Sequence, residues 1–325
     1  MSMTDNRNAI RRTGSEDVEC VCVSLKCFDL AVLPAQGAEY AAEVSGPDAD
    51  AVEIRYADGR LEIIERTDAS GLISAVKSLF SGRSARTVKL YLPAKEYESV
   101  SLASASGNVN AKGLSAAVIA LSSASGDVEA SDLTASLSVE ARTESGDVKA
   151  RALTAGEAHF AARSGDIDLN RISCKGAVKL DSGSGDVYIS ELSAPDLTLE
   201  SASGDVKALS CALENSFFIR TYSGDAEIKL SGDNGFVKST SGDIRFVGSA
   251  RALMLESTSG DIRALGDIPG LKISAVSGNL GVTVNLTGID YLEANTVSGD
   301  IDLWCPEQAL GRVKTHTVSG NIRKH

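Results

Sequence analysis

From about residue 99 onward, apolar and polar residues alternate with a period of two, interrupted at regular intervals by one short bend. Leu197, Leu199, Ser201 and Ser203 lead into Gly204 and Asp205, after which Val206 and Ala208 resume the alternation. Leu253, Leu255, Ser257 and Ser259 lead in the same way into Gly260 and Asp261, followed by Ile262 and Ala264. Period two marks a strand with one buried face, and the three-and-four spacing of a helix is missing. The pattern therefore predicts two short strands meeting at a bend. Glycine suits that bend because it takes positive φ without a Cβ clash, and an aspartate can accept nearby backbone N–H groups.

The bend, Ser-Gly-Asp or Ser-Gly-Asn before an apolar residue, occurs twelve times. Its glycines are Gly107, Gly126, Gly146, Gly165, Gly185, Gly204, Gly224, Gly242, Gly260, Gly278, Gly299 and Gly320, at intervals of 18 to 21 residues. A period of this length is the mark of stacked repeats, each burying its apolar edge against its neighbours. The predicted fold is all-β: a single-stranded parallel β-helix, or β-solenoid, of about twelve coils. Right-handed winding is expected from the general hand of parallel crossovers.

Stacking turns each column of equivalent residues into a ladder at strand spacing. Two residues before the motif serine stand Ser104, Ser123, Thr143, Ser182, Ser201, Thr221, Ser239, Ser257, Thr296 and Thr317, with Ala162 and Ala275 as exceptions. Alternation points them inward beside the motif serine, so a double file of hydroxyls is expected, bonded to one another or to the bend. The motif acid is Asn at 108, 279 and 321, and otherwise Asp127, Asp147, Asp166, Asp186, Asp205, Asp225, Asp243, Asp261 and Asp300. Turn chemistry assigns these carboxylates to backbone amides. The sharper alternative is a calcium ladder along the same aspartates. The calcium-binding β-roll, however, uses paired glycines and an Asp in a nonapeptide repeat, and here there is one Gly-Asp per coil, so no metal site is assigned. Two residues past the acid, an outward column runs Glu129, Lys149, Asp168, Tyr188, Lys207, Glu227, Arg245, Arg263. Its mixed signs suit cross-strand pairing on a wet face.

The chain divides by pattern into a polar, flexible tail (1–17), a β-rich capping region (18–98) and the repeats (99–325). In the cap, strands are expected over 18–23, 40–44 and 88–93. Val52–Tyr56 and Leu61–Ile64 flank Asp58-Gly59, a strong hairpin signal. Leu72, Ile73, Val76, Leu79 and Phe80 predict one short helix over 69–80. Such a region would cover the first coil, since a solenoid end must be closed. At the other end the last repeat, Val318 to Ile322, stands three residues from the end of the chain as given. Val318, Asn321 and Ile322 are expected to form an open edge through which a homo-oligomer can pair.

The passage Leu90-Tyr91-Leu92-Pro93, then Ser99-Val100-Ser101-Leu102 and Ser104-Ala105-Ser106-Gly107-Asn108-Val109, resembles the start of the repeats in the bacterial putative-adhesin β-strand-repeat family, domain of unknown function 4097. An upstream Gly-x-Leu-x-Ile hairpin, Gly59 to Ile63 here, completes the likeness, which covers about 50–325. The resemblance implies a β-solenoid acting as a non-enzymatic, adhesin-like binding or scaffold module, with links to the cell envelope in some members. Two other classes remain open. One is a self-assembling cytoplasmic scaffold, bactofilin-like in architecture; the other is a glycan-active β-helix enzyme.

Composition narrows these readings. Only 5% of residues are aromatic, as thin coils filled by Val, Ile, Leu, Ala and Ser require. A net charge of −12 leaves no electrostatic footprint for nucleic acid. No apolar run has the length of a secretory signal or a membrane span, so the chain as given is expected in the cytoplasm, with the cell surface reached only by another route. Cys20, Cys22 and Cys27 lack zinc spacing, and the first two are expected to pack as small apolar residues. His159, His316 and His325 sit in no hydrolase or metalloprotease motif. No catalytic residue and no cofactor is assigned. Coil lengths of 18–21 residues leave little room for a substrate cleft, and the partner expected is a protein or a glycan.

Overall fold

A computed structural model describes residues 9–66, 85–284 and 290–325, apart from the side chains of 308–310. The helix expected over 69–80 lies outside the described residues. The chain forms two compact units, Met1–Gly156 and Glu157–His325. Both are built from stacked parallel coils, so the fold is an all-β parallel β-solenoid.

In the first unit the strands are β1 (Ala9–Gly14), β2 (Cys20–Leu25), β3 (Asp29–Pro34), β4 (Tyr40–Ser45), β5 (Val52–Ala57) and β6 (Arg60–Glu65). A single 3₁₀ turn, Ala49–Ala51, precedes β5. There follow β7 (Thr87–Leu92), β8 (Glu96–Ser104), β9 (Val109–Lys112), β10 (Ser115–Ser123) and β11 (Val128–Thr143). The predicted hairpin is β5–β6, with Asp58 (φ 49°) and Gly59 (φ 76°) both left-handed, as a two-residue turn of matching twist requires.

One coil escapes the Ser-Gly-Asp pattern. β2 pairs in parallel with β6 on one side and β8 on the other, while β3 pairs with β7 and β9. Cys20 to Pro34 is thus a coil sandwiched between two that follow it in the chain. Phe28 and Asp29 occupy its Gly-Asp positions: Ser104 Oγ donates to Phe28 O (3.0 Å) and Asn108 N donates to Asp29 Oδ1 (2.8 Å). Val21, Val23, Leu25, Leu30 and Val32 fill its interior. Beyond it, β5 pairs with β6, β4 with β7 and β1 with β4, all antiparallel. This antiparallel layer covers an edge that would otherwise invite pairing. β1 falls within the stretch read as polar tail; Arg12 Nη1 donates to Ile54 O (2.5 Å), and Arg11 meets Glu43 at 3.5 Å.

The first-unit bends show why a buried hydroxyl column is tolerated. Ser123 Oγ donates to Gly107 O (2.9 Å) and accepts from Gly126 N (2.8 Å). Thr143 Oγ1 repeats this with Gly126 O (2.9 Å) and Gly146 N (3.1 Å). Each hydroxyl thereby joins two successive coils and satisfies two buried backbone groups. The expected double file is a single one, because the motif serines Ser106 and Ser125 are exposed. The bend breaks the alternation and turns them out. A second corner follows five residues after the motif acid, at Gly113, Asp132 and Ala152, which are left-handed (φ 66°, 55° and 52°).

β12 (Val148–Ser164) carries the chain into the second unit, whose strands are β13 (Ile167–Cys174), β14 (Val178–Ser184), β15 (Val187–Ser203), β16 (Val206–Ser223) and β17 (Ala226–Ser241). Then come β18 (Ile244–Ser259), β19 (Ile262–Asp267), β20 (Gly270–Ser277), β21 (Leu280–Val284) and β22 (Tyr291–Ser298). β23 (Ile301–Trp304), a 3₁₀ segment Glu307–Arg312, β24 (Val313–Ser319) and β25 (Ile322–Lys324) complete it. The long strands include the left-handed corner, at Arg171, Glu191 and Ser210 (φ 55–57°). A register shift between Leu209 and Cys211 against β17 removes that residue, and the next three coils shorten to 18. The interior is mostly Val, Ile, Leu and Ala, thickened by Phe217 and Phe246, whose rings stack at 6.0 Å.

Second-unit bends are made differently. Gly204 N donates to the next coil's Ser223 O (3.1 Å) and the glycine has φ 110°. A Cβ there would strike the carbonyl oxygen of Gly185 in the coil before. The bend glycines Gly185, Gly224, Gly242, Gly260, Gly278, Gly299 and Gly320 share this positive φ. The same motif thus supports two bend geometries, which differ in whether the glycine amide donates to the column hydroxyl or to the next coil's backbone; Thr296 and Thr317 still donate to the glycine carbonyl of the coil before, at 3.1 Å each.

Candidate binding site

The motif acids hold the bends together. Asp127 Oδ1 accepts from Asp147 N (2.9 Å), and Asp205, Asp225, Asp243 and Asp261 accept likewise from the amide one coil on, at 2.7–2.9 Å. Asn279 and Asp300 continue the file, accepting from Asp300 N and Asn321 N. A neutral Asn carbonyl serves as well as a carboxylate here, which accounts for their exchange. Among the described residues, no group of three or more His, Cys, Asp or Glu side chains is arranged to hold a metal ion.

The outward column past the acid does more than the mixed signs suggest. In register along β18, β19, β21 and β23 it continues Arg245, Arg263, Gly281, Asp302. Beside it runs Val247, Leu265, Thr283, Trp304. Where Gly281 supplies no side chain, a groove of about 570 Å³ opens. Arg245, Arg263 and Leu265 wall it on one side, Asp302 and Trp304 on the other. Trp304 is 45% exposed, and its indole stacks on His325 (centroids 4.7 Å apart, 13° between planes). Arg323 holds Asp300 and Asp302, each at 3.3 Å.

A second recess, about 360 Å³, lies on the face before the bend. There Phe218, Phe236 and Met254 follow one another in an outward column on β16, β17 and β18. The two phenyl rings stack at 5.4 Å, the Arg220 guanidinium lies 5.2 Å from the Phe218 centroid, and exposed Tyr291 forms the rim. Neither recess carries a motif in the sequence: the glycine that opens the first lies one coil beyond Arg263 and marks no bend, and the aromatic column has the spacing of ordinary strand residues.

Other chemistry-bearing residues are dispersed. Cys20 and Cys22 share a face as expected, but it is the half-exposed outer one, because Val21 and Val23 take the interior. Cys20 Sγ meets Glu98 Oε2 at 3.7 Å. Cys174 and Cys211 are the buried pair by position, and burial pushes the Cys211 thiol up to about 11. His159 Nε2 lies 2.7 Å from Asp181 Oδ2, which Lys179 also meets at 2.8 Å. Burial opposes the Asp181 charge, but the hydrogen bonds from Lys179 and His159 outweigh it and lower the pKa. His316 is exposed.

Regular parallel coils carrying recesses on their outer columns define a repeat protein of the β-solenoid class. The chain belongs to the Toastrack DUF4097 family, whose model matches residues 23–236, 176–267 and 229–325. Similar solved structures include a putative adhesin from Bacteroides fragilis NCTC 9343, with 10% identity over 98% of each chain and a TM-score of 0.26. A putative lipid binding protein from Parabacteroides distasonis ATCC 8503 shows 15% identity over 98% of this chain and 95% of its own, with a TM-score of 0.25. A putative adhesin from Parabacteroides merdae ATCC 43184 shows 10% identity over 86% and 97%, with a TM-score of 0.26. No curated protein matches the chain. Among the described residues, no helix is long and apolar enough to cross a membrane.

Proposed function

We propose that this chain is a non-enzymatic, adhesin-like binding or scaffold module that engages a partner through the outer columns of its repeats. The observation that carries this reading is the column Phe218, Phe236, Met254 with Tyr291 at its rim. These side chains point away from the interior, which Phe217, Val237, Leu253 and Leu255 already fill. Half-buried phenyl rings beside a guanidinium, rimmed by an exposed tyrosine, are the chemistry of contact sites. In this reading 18–98, with β1 laid against β4, close the first coil, and 99–325 present the binding columns. The test is retention of the labelled chain on arrayed polysaccharides and matrix proteins. Phe236→Ser with Tyr291→Ser should lower retention at least tenfold while the β-sheet circular dichroism is unchanged; undiminished retention, or none by the wild type, overturns the reading.

We place the action at the cell envelope. Fractionation that recovers the chain wholly in the cytoplasm would favour the second reading, a self-assembling scaffold. The observation favouring it is the coil of β24 and β25, where Ile322 is 41% exposed although it stands in register with fully buried Ile301. Self-pairing through Val318, Asn321 and Ile322 would appear as a concentration-dependent sedimentation coefficient that Ile322→Lys abolishes. An unchanged, monomeric coefficient at all concentrations would remove it.

A further inference from the structure

We propose that the groove at Gly281 binds an acidic sugar unit of a polysaccharide, its carboxylate on Arg245 and Arg263 and its ring against Trp304. The inference deepens the binding reading above and rests on it.

Gly281 is the first reason. Most bend glycines are dictated by the fold, because a Cβ would strike the backbone of the coil before. At Gly281 a Cβ would meet nothing nearer than Arg263 Cγ at 3.5 Å, an ordinary van der Waals contact. Its φ is not positive. Packing and backbone therefore accept a side chain there, and its omission serves the space it leaves. At about 570 Å³ that space has the size of a small-molecule site.

Charge is the second. Arg245 and Arg263 stand directly opposite each other on adjacent strands, where like charges repel. The carboxylate nearest Arg263 is Asp261, which also lines the groove; it stands 3.9 Å away, beyond hydrogen-bond distance, and the Arg263 side chain is 70% exposed. Glu227, in register with Arg245, makes its ion pair with Lys229 at 2.7 Å, and the Arg245 charge adds only a longer-range attraction to it. At the opposite wall Arg323 offsets Asp300 and Asp302. The groove thus has an arginine end suited to a carboxylate, and guanidinium groups bind carboxylates through paired N–H donors.

The third reason is Trp304. His325 covers one face of the indole, and the ring lines the groove. A sugar ring presents C–H groups that pack on an aromatic face and hydroxyls that need acceptors at its edge; Asp302 and Thr283 line the same groove. Asp302 stands two coils across from Arg263, about 9.6 Å at the usual strand spacing, and Trp304 two residues further along its strand, about 12 Å from Arg263 in all. That gap suits one ring bearing a carboxylate.

The chain contains one tryptophan, so its emission reports on this groove. The experiment titrates the full chain with an oligogalacturonate, a hyaluronan oligosaccharide, sialyllactose and a neutral oligogalactoside. At least one acidic member should shift the emission saturably, with the neutral glycan at least tenfold weaker. Gly281→Phe should abolish the response while the unfolding midpoint stays at the wild-type value, and Arg263→Gln should weaken it about tenfold. The proposal is overturned if no acidic glycan gives a response, if the neutral glycan binds as well, or if Gly281→Phe binds undiminished. Array retention that depends on Phe236 and Tyr291 without any tryptophan response would leave the binding module standing and remove this site.

Discussion

Deleting one buried hydroxyl should cost the fold dearly in one coil and nothing in another. Ser123 Oγ, buried, bonds Gly107 O at 2.9 Å and Gly126 N at 2.8 Å. Ser123→Ala strands the Gly126 amide, worth about 1–3 kcal/mol, and takes one donor from a carbonyl, worth about 0.5–1.5 kcal/mol. The sum centres on about 3 kcal/mol. Ser239 occupies the same column in the second unit, equally buried, but its hydroxyl has no hydrogen-bond partner. Ser239→Ala removes an unsatisfied polar atom and should lie between zero and about 1 kcal/mol of stabilisation. Urea unfolding followed by circular dichroism gives the global figure for each variant. Hydrogen exchange of the peptide containing Gly126 gives the local one, which a repeat protein needs because its coils can open separately. If the two variants agree within about 0.5 kcal/mol, the hydroxyl does not close the bend and the reasoning fails.

Further outcomes follow from the same geometry. Gly204→Ala forces a side chain onto φ 110° and against the Gly185 carbonyl, so unfolding by heat should show a loss of about 3 kcal/mol or more, against less than about 0.5 kcal/mol for Gly281→Ala. Asp181 has a lowered folded pKa, so its stabilisation is complete above the ordinary aspartate range and lost as pH falls through the lower folded value. Asp181→Asn should therefore flatten the acid limb of a plot of melting temperature against pH; an unaltered limb would count against that network. Iodoacetamide at neutral pH should label exposed Cys27 at least tenfold faster than Cys211, whose buried thiol is pushed up to about 11. Equal labelling in the folded protein would contradict the placement of Cys211.

The coils were legible because the bend chemistry is written in residue types that repeat: a small inward hydroxyl, a glycine and an Asp or Asn. The coil from Cys20 to Pro34 was not, since Cys27-Phe28 replaces Ser-Gly, yet the alternation of Val21, Val23, Leu25 and Leu30, Val32 was present and Asp29 kept the ladder. Its position between two later coils is a long-range pairing that no local pattern encodes. The left-handed corner was invisible for a different reason. Gly113, Asp132, Ala152, Arg171, Glu191 and Ser210 share a backbone state without sharing any side-chain chemistry. The groove escaped because a missing side chain carries no motif; only the register of β19, β21 and β23 sets Gly281 between Arg263 and Asp302.

The central claim is that the outer columns hold a partner and leave it chemically unchanged. It is tested most directly by incubating the chain with an acidic oligosaccharide at matched concentrations. Occupancy is followed by the Trp304 emission and the sugar by mass spectrometry. The account predicts saturation near one equivalent and a sugar recovered at its original mass. Shortened or otherwise altered sugar would make the groove an active site, and emission indifferent to every acidic sugar would leave it without the ligand assigned to it.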